Sequence, residues 1–180
     1  TKRWAMTAYA NNAQPISNTK KRFDGAKCFI DSAGGTYSYT AADFVSMDLD
    51  GFSLNWTTVN PAARYVHWVA IGGDDITVDA GTFDLNSGTG SQAITGVGFQ
   101  PSLVMFGNTI NGTATSAEDD FFFNLGFAKS SSNRYAISSY SKHNVDPTIA
   151  KSIQIASKCL LRQNDNTIVN AADFVSQDSD

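Results

Sequence analysis

Phe52, Leu54 and Trp56 alternate with Ser53, Asn55 and Thr57. A period of two places the three apolar side chains on one side of an extended chain, as in a half-buried strand. Tyr65, His67, Val69 and Ile71 alternate with Val66, Trp68 and Ala70, so both sides of that run are apolar. It reads as a strand covered on both faces. Similar short runs predict further strands near 3–9, 27–31, 42–47, 76–84, 92–97, 103–108, 121–128, 134–140, 152–156, 158–163 and 167–176. No stretch longer than about a dozen residues carries the helical apolar period. Asn60-Pro61-Ala62-Ala63 supplies a cap and a first-turn proline, enough for one helical turn.

Turn chemistry punctuates these runs. Asp50-Gly51 ahead of the alternating segment predicts a hairpin. Gly72-Gly73-Asp74-Asp75 and Ser87-Gly88-Thr89-Gly90-Ser91 read as connections, and Gln100-Pro101 forces an extended residue before Leu103. Many short strands joined by short turns predict an all-β fold of antiparallel β-sandwich, jelly-roll-like type.

The pattern occurs twice. Ala41-Ala42-Asp43-Phe44-Val45-Ser46 returns as Ala171-Ala172-Asp173-Phe174-Val175-Ser176, 130 positions on. Arg3-Trp4-Ala5 matches Arg134-Tyr135-Ala136, and Lys27-Cys28 matches Lys158-Cys159, both 131 positions apart. A one-residue loop difference accounts for the change of offset. A repeat of this length implies sandwich domains in tandem. Residues 1–73 read as the C-terminal part of a first unit, and 74–180 as a second unit lacking its last strands. The expectation is a segment of a longer protein. If Asp180 were the true end, the second unit would keep an open sheet edge that a neighbouring subunit could fill.

Composition narrows the class. Of the 180 residues 42% are hydrophobic, enough for one good core or two small ones. No apolar run approaches the roughly 20 residues of a membrane helix, so no membrane insertion is expected. The net charge of −4 makes nucleic acid an unsuitable partner. The signs are segregated, however: Lys2, Arg3, Lys20, Lys21, Arg22 and Lys27 face only Asp24 in the first 27 residues, and the next hundred are acidic. Solvated loops explain this; two poles suited to head-to-tail contacts are the sharper reading.

Candidate chemistry is sparse. Cys28 and Cys159 hold equivalent places in two units, so they are expected to be small buried residues rather than a disulfide. Asp48-Leu49-Asp50-Gly51 has calcium-like spacing, but no third loop carboxylate or closing Glu follows, and a hairpin turn explains it. Asp74-Asp75 and Glu118-Asp119-Asp120 could be hydrolytic carboxylates, but read better as solvated loops. His67 is expected to be packed within a strand and His143 to be exposed, and neither has a zinc partner in sequence. No nucleophile elbow or phosphate loop is present. Catalytic residues, metal and cofactor are each expected to be none. Trp56 and Trp68 keep phase with apolar neighbours and read as core. Trp4 and its counterpart Tyr135 are the candidate exposed rings for glycan contact. Asn55-Trp56-Thr57 and Asn111-Gly112-Thr113 match the glycosylation sequon.

Gly81-Thr82-Phe83, Gln92-Ala93-Ile94-Thr95-Gly96-Val97-Gly98-Phe99-Gln100-Pro101 and Asn124-Leu125-Gly126-Phe127-Ala128 form an ordered series of motifs. With the Ala-Asp-Phe-Val-Ser segments and Asp50-Gly51-Phe52-Ser53-Leu54-Asn55-Trp56-Thr57, the series resembles repeats in structural proteins of tailed bacteriophages. The resemblance covers nearly the whole chain. It implies a module of a tail fibre, tail tip or other virion surface, with no reaction and no cofactor. The expected function is therefore a non-enzymatic scaffold or host-attachment element. Its partners would be further copies in a homo-oligomer, other virion structural proteins and a host cell-surface glycan. A carbohydrate-binding adhesin is the alternative, ahead of a capsid decoration protein or a glycan-degrading enzyme.

Overall fold

The computed structural model describes residues 2–11, 14–33, 38–60, 65–109, 117–165 and 167–178. They form twelve strands: β1 (Ala5–Ala10), β2 (Thr19–Asp24), β3 (Phe29–Ala33), β4 (Ser38–Asp48), β5 (Gly51–Thr58), β6 (Val104–Asn108), β7 (Glu118–Asp119), β8 (Phe121–Ala128), β9 (Arg134–Ser141), β10 (Ala150–Ile155), β11 (Leu160–Asn164) and β12 (Thr167–Ala172). The protein is all-β, with antiparallel sheets packed on one another in the manner of a β-sandwich. The sheets run β1-β2-β7, β10-β9-β8-β6, β3-β4-β5 and β11-β12.

One core cluster lies on one face of the four-stranded sheet, and a second, Ala5, Ile30 and Ala41 with Tyr39 against it, joins β1 to the β3–β4 hairpin. β8 alternates between half-buried and buried positions along its length, the buried ones being Phe122, Asn124, Gly126 and Ala128. Ala136, Ser138 and Tyr140 continue this face on β9. The β11–β12 hairpin lies over it, with Cys159, Leu160 and Leu161 buried. Burying Phe122 alone is worth about 2–3 kcal/mol. Asn124 is half satisfied there: its Nδ2 donates to the Ile137 carbonyl at 2.7 Å, while its buried Oδ1 has no partner among the described residues. Gly126 is required by close approach: a Cβ would collide with the backbone carbonyl of Cys159.

The repeat has a structural counterpart. β1 pairs β2 with Ala10 opposite Thr19 and Tyr9 opposite Lys20. β9 pairs β10 with Ser141 opposite Ala150 and Tyr140 opposite Lys151, the same register 131 positions on. Phe29 opposite Ala42 becomes Leu160 opposite Ala172. The β11–β12 connection is two residues shorter than the β3–β4 one, and a register shift between Arg162 and Gln163 takes up one of the two. Pairing also crosses position 73, since Lys20 and Lys21 of β2 face Asp119 and Glu118 of β7.

Several expected elements are absent. Residues 65–71, 76–84 and 92–97 form no strand. Tyr65 is 98% exposed, His67 is exposed, and Trp68 is 66% exposed with its ring edge against Phe52 at 5.5 Å. Trp56 too is exposed rather than core, set edge-on to Phe29. Strand-like patterning marks a segment that could pair; without a partner strand the extended state is not locked. β2 was not apparent in the sequence because Thr-Lys-Lys-Arg-Phe-Asp carries a single apolar residue. The expected turn at Asn60-Pro61-Ala62-Ala63 and the sequon at Asn111 involve positions outside the described residues.

Candidate functional site

One constellation is built twice. Arg3, at the entry to β1, donates Nε to the Ala26 carbonyl at 2.6 Å and brings its guanidinium to Asp43 at 3.6 Å. Lys27 reaches the same carboxylate at 3.2 Å and the Thr57 hydroxyl at 2.9 Å. The Cys28 amide and thiol both donate to the Ala42 carbonyl, at 3.0 and 3.3 Å. In the second copy Arg134 Nε donates to the Ser157 carbonyl at 2.7 Å and its guanidinium reaches Asp173 at 3.2 Å. Lys158 meets Asp173 at 2.9 Å, and the Cys159 amide and thiol donate to Ala172 at 3.0 and 3.3 Å. Each clamp ties the start of one strand, β1 or β9, to the later hairpin through one carboxylate shared by two cations. The hydrogen bond from Lys158, then its charge and that of Arg134, hold Asp173 below the usual carboxylate value.

The thiols in these clamps are poorly suited to nucleophilic work. Burial is the main influence on both, pushing Cys28 and Cys159 above the ordinary thiol value. Both are free; Cys159 is buried and Cys28 half-buried.

A second polar cluster joins the two copies. Ser17 donates its hydroxyl to the Lys142 carbonyl at 2.6 Å and accepts the Val145 amide at 3.0 Å. The Thr19 hydroxyl donates to the Ser141 carbonyl at 3.0 Å, and its amide donates to Nδ1 of His143 at 3.1 Å. His143 is thus half-buried in a seam rather than exposed in a polar stretch. Asp119 is exposed but sits in β7 rather than a loop, and Asp120 is half-buried. Asp119 pairs with Lys20, whose hydrogen bond depresses its carboxyl value, and its carbonyl accepts Lys21 Nζ. Asp120, in the left-handed region at φ 66°, accepts the His143 amide at 2.7 Å and the Tyr140 hydroxyl at 3.3 Å. Burial first, and Asp120 next, push the Tyr140 phenol well above its ordinary range. No sequence signal connects Thr19 to His143 across 124 positions.

The basic N-terminal stretch is matched within the chain. Lys2 pairs with Asp79, Arg3 and Lys27 with Asp43, Lys20 with Asp119, and Arg22 with Asp24. Arg22 also lies 3.8 Å over the Tyr39 ring. The Asp-x-Asp turn behaves as hairpin chemistry: the Ser46 and Ser53 hydroxyls both donate to Asp48 at 2.7 Å. Among the described residues no three His, Cys, Asp or Glu side chains gather as metal ligands.

The candidate glycan rings are separate: Trp4 precedes β1 and Tyr135 lies on β9. Trp4 is half-buried, packed with Met6 against Gly107 of β6. Tyr135 on β9 is 38% exposed and donates its hydroxyl to Gln154 at 2.7 Å. A shallow cleft of about 370 Å³ opens near the start of β8, with Phe121, Ser139, Tyr140, Thr148, Lys151 and Ser152 among its walls. The Ser139 and Ser152 hydroxyls there lie 2.9 Å apart. No protein-family model, curated protein or solved structure matches the chain.

Proposed function

We propose that the chain is a non-enzymatic structural module of a tailed-phage virion, serving in a tail fibre or other surface appendage as scaffold or host-attachment element. The observation that carries this reading is the reiterated clamp, in which Arg3, Lys27 and Asp43 recur as Arg134, Lys158 and Asp173. A module that spends its charged residues on fastening one hairpin to another, twice over, is organised for stiffness. The order of motifs resembling virion repeats gives the setting. Its partners on this reading are further copies and other virion proteins at the particle surface. Immunogold labelling of purified particles tests it: label on a fibre or surface appendage is expected, and a chain found only in the free lysate fraction would sink the reading.

A glycan-binding adhesin is the second reading, favoured by the cleft that sets the Phe121 ring beside the Ser139–Ser152 hydroxyl pair. Binding on a glycan array that disappears in Phe121→Ala would favour it, and an array without signal would remove it.

A further inference from the structure

The seam between the two copies holds a side chain that reverses its hydrogen-bonding sense on taking up a proton. His143 accepts the Thr19 amide at Nδ1, at 3.1 Å. An imidazole offers an acceptor nitrogen only while neutral; once protonated, both nitrogens are donors. Histidine is also the side chain whose ordinary range lies between about pH 5 and 8. Thr19 is 2% exposed, so water has little access to replace a lost acceptor. A proton on Nδ1 would set donor against donor at the start of β2.

The charged groups around the ring do not offset this. Asp119 of β7 lies 3.9 Å from Nε2, too far for a hydrogen bond. Its side chain is 63% exposed and already paired with Lys20 of β2. Attraction between exposed charges is worth about fivefold at most, whereas a buried donor without an acceptor costs about tenfold or more. Asp120 takes the backbone amide of His143 at 2.7 Å and the Tyr140 hydroxyl at 3.3 Å. Lys142 turns to Asp165 at 3.6 Å, Lys21 Nζ donates to the Asp119 carbonyl, Glu118 lies opposite Lys21, and Asp146 is exposed on the turn beyond. The Lys20 hydrogen bond holds Asp119 below the usual carboxylate range, and burial holds Tyr140 well above its own. Neither changes its charge where histidine does.

We infer that His143 is a proton-operated latch: neutral, it holds the Thr19–Lys20 end of β2 to the turn 142–145, and protonated it lets go. The closed latch requires the neutral ring and the open one takes up a proton, so acid favours opening. The release is local. The Ser17 hydroxyl keeps its bonds to the Lys142 carbonyl and the Val145 amide, and the Asn144 amide still donates to the Ser17 carbonyl at 2.7 Å. No proton alters these, and Met6 stays packed on Gly107. The joint therefore loosens on one side in mild acid while the copies stay together. This inference stands independently of the virion assignment.

The test follows amide exchange in the isotope-labelled full chain from about pH 8 to about pH 5.5, corrected for the intrinsic effect of pH, beside the ring-nitrogen shifts of His143. Protection at Thr19 should fall at least about tenfold, with its midpoint on the ring titration, while Asn124 and Leu161 keep theirs. His143→Asn, whose side-chain carbonyl accepts a hydrogen bond without titrating, should flatten the pH dependence at Thr19. Unchanged protection in the wild type, a midpoint away from that of the ring, or a fall shared by Asn124 and Leu161 would each overturn the latch. So would an undiminished fall at Thr19 in His143→Asn. Should that variant not fold, the wild-type titration decides alone.

Discussion

Arg134 reaches Asp173 at 3.2 Å across 39 residues, as Arg3 reaches Asp43 across 40 at 3.6 Å. The two carboxylates are not equally placed: Asp43 is 27% exposed and Asp173 51%. An ion pair loses value as water screens it. Asp43→Asn should therefore cost about 1 kcal/mol, and Asp173→Asn should cost less. Urea melts of the two variants check the order, and a larger loss from Asp173→Asn would contradict it.

Acid should weaken the molecule in a defined window. Asp119 and Asp173 are held below their ordinary value of 3.8 mainly by lysine hydrogen bonds, and Asp48 mainly by the Ser53 and Ser46 hydroxyls. A carboxyl that is lower in the folded chain than in the unfolded one stabilises fully above the unfolded value. That contribution drains away as pH falls through the depressed folded values. The melting temperature should be insensitive to these groups above about pH 5 and should fall below about pH 4. Calorimetry from acid to neutral pH measures this, with Asp173→Asn expected to show a shallower acid slope.

Two glycines should respond very differently to one added methyl. At Gly126 the methyl would meet the Cys159 backbone carbonyl, which can move only with the whole hairpin. At Gly107 it would meet the end of the Met6 side chain, which can rotate away. Gly126→Ala should destabilise by about 3 kcal/mol or more, and Gly107→Ala by about 1 kcal/mol or less. Met6→Ala should relieve most of the Gly107→Ala cost but none of the Gly126→Ala cost, as paired melts would show.

β8 could be read directly from the sequence because its burial follows its own alternation, and the β4–β5 hairpin because the Asp50-Gly51 signal lies one residue from the observed turn at Leu49-Asp50. β2 could not, since Lys20, Arg22 and Asp24 are buried or half-buried only by virtue of Asp119, Tyr39 and one another. The segment with Tyr65, Val69 and Ile71 has a strand's pattern yet pairs with no strand among the described residues. The duplicated clamp was visible as repeated Arg, Lys-Cys and Ala-Asp-Phe, though only the fold reveals that these converge on one carboxylate. The His143 seam left no trace, because each of its bonds joins residues more than a hundred positions apart or depends on the turn at Asp120.

The two thiols should differ in reactivity despite identical bonding. Both donate at 3.3 Å to an alanine carbonyl, and burial raises both thiol values. Cys159 is buried beneath the β8 contact, whereas Cys28 is half-buried. Alkylation under native conditions should modify Cys28 first, with Cys159 reacting only on unfolding. Peptide mass mapping at early times reads this out, and equal labelling would refute the packing of the second hairpin.

His143 should prove to be one of the residues that join the two copies. Its Nδ1 is the acceptor for the Thr19 amide, in a residue only 2% exposed, where a donor without a partner is costly. Accepting at Nδ1 places the neutral ring's proton on Nε2, which lies 3.9 Å from Asp119. His143→Ala removes the acceptor and leaves the Thr19 amide stranded behind the Ser17 and Ser141 contacts. The expected loss is about 1–3 kcal/mol. A merely exposed histidine would cost almost nothing. Amide exchange distinguishes local from global effects: Thr19 and Lys20 should exchange faster in the variant while Asn124 and Leu161 keep their protection. Unchanged exchange at Thr19 would show that the seam does not depend on the imidazole.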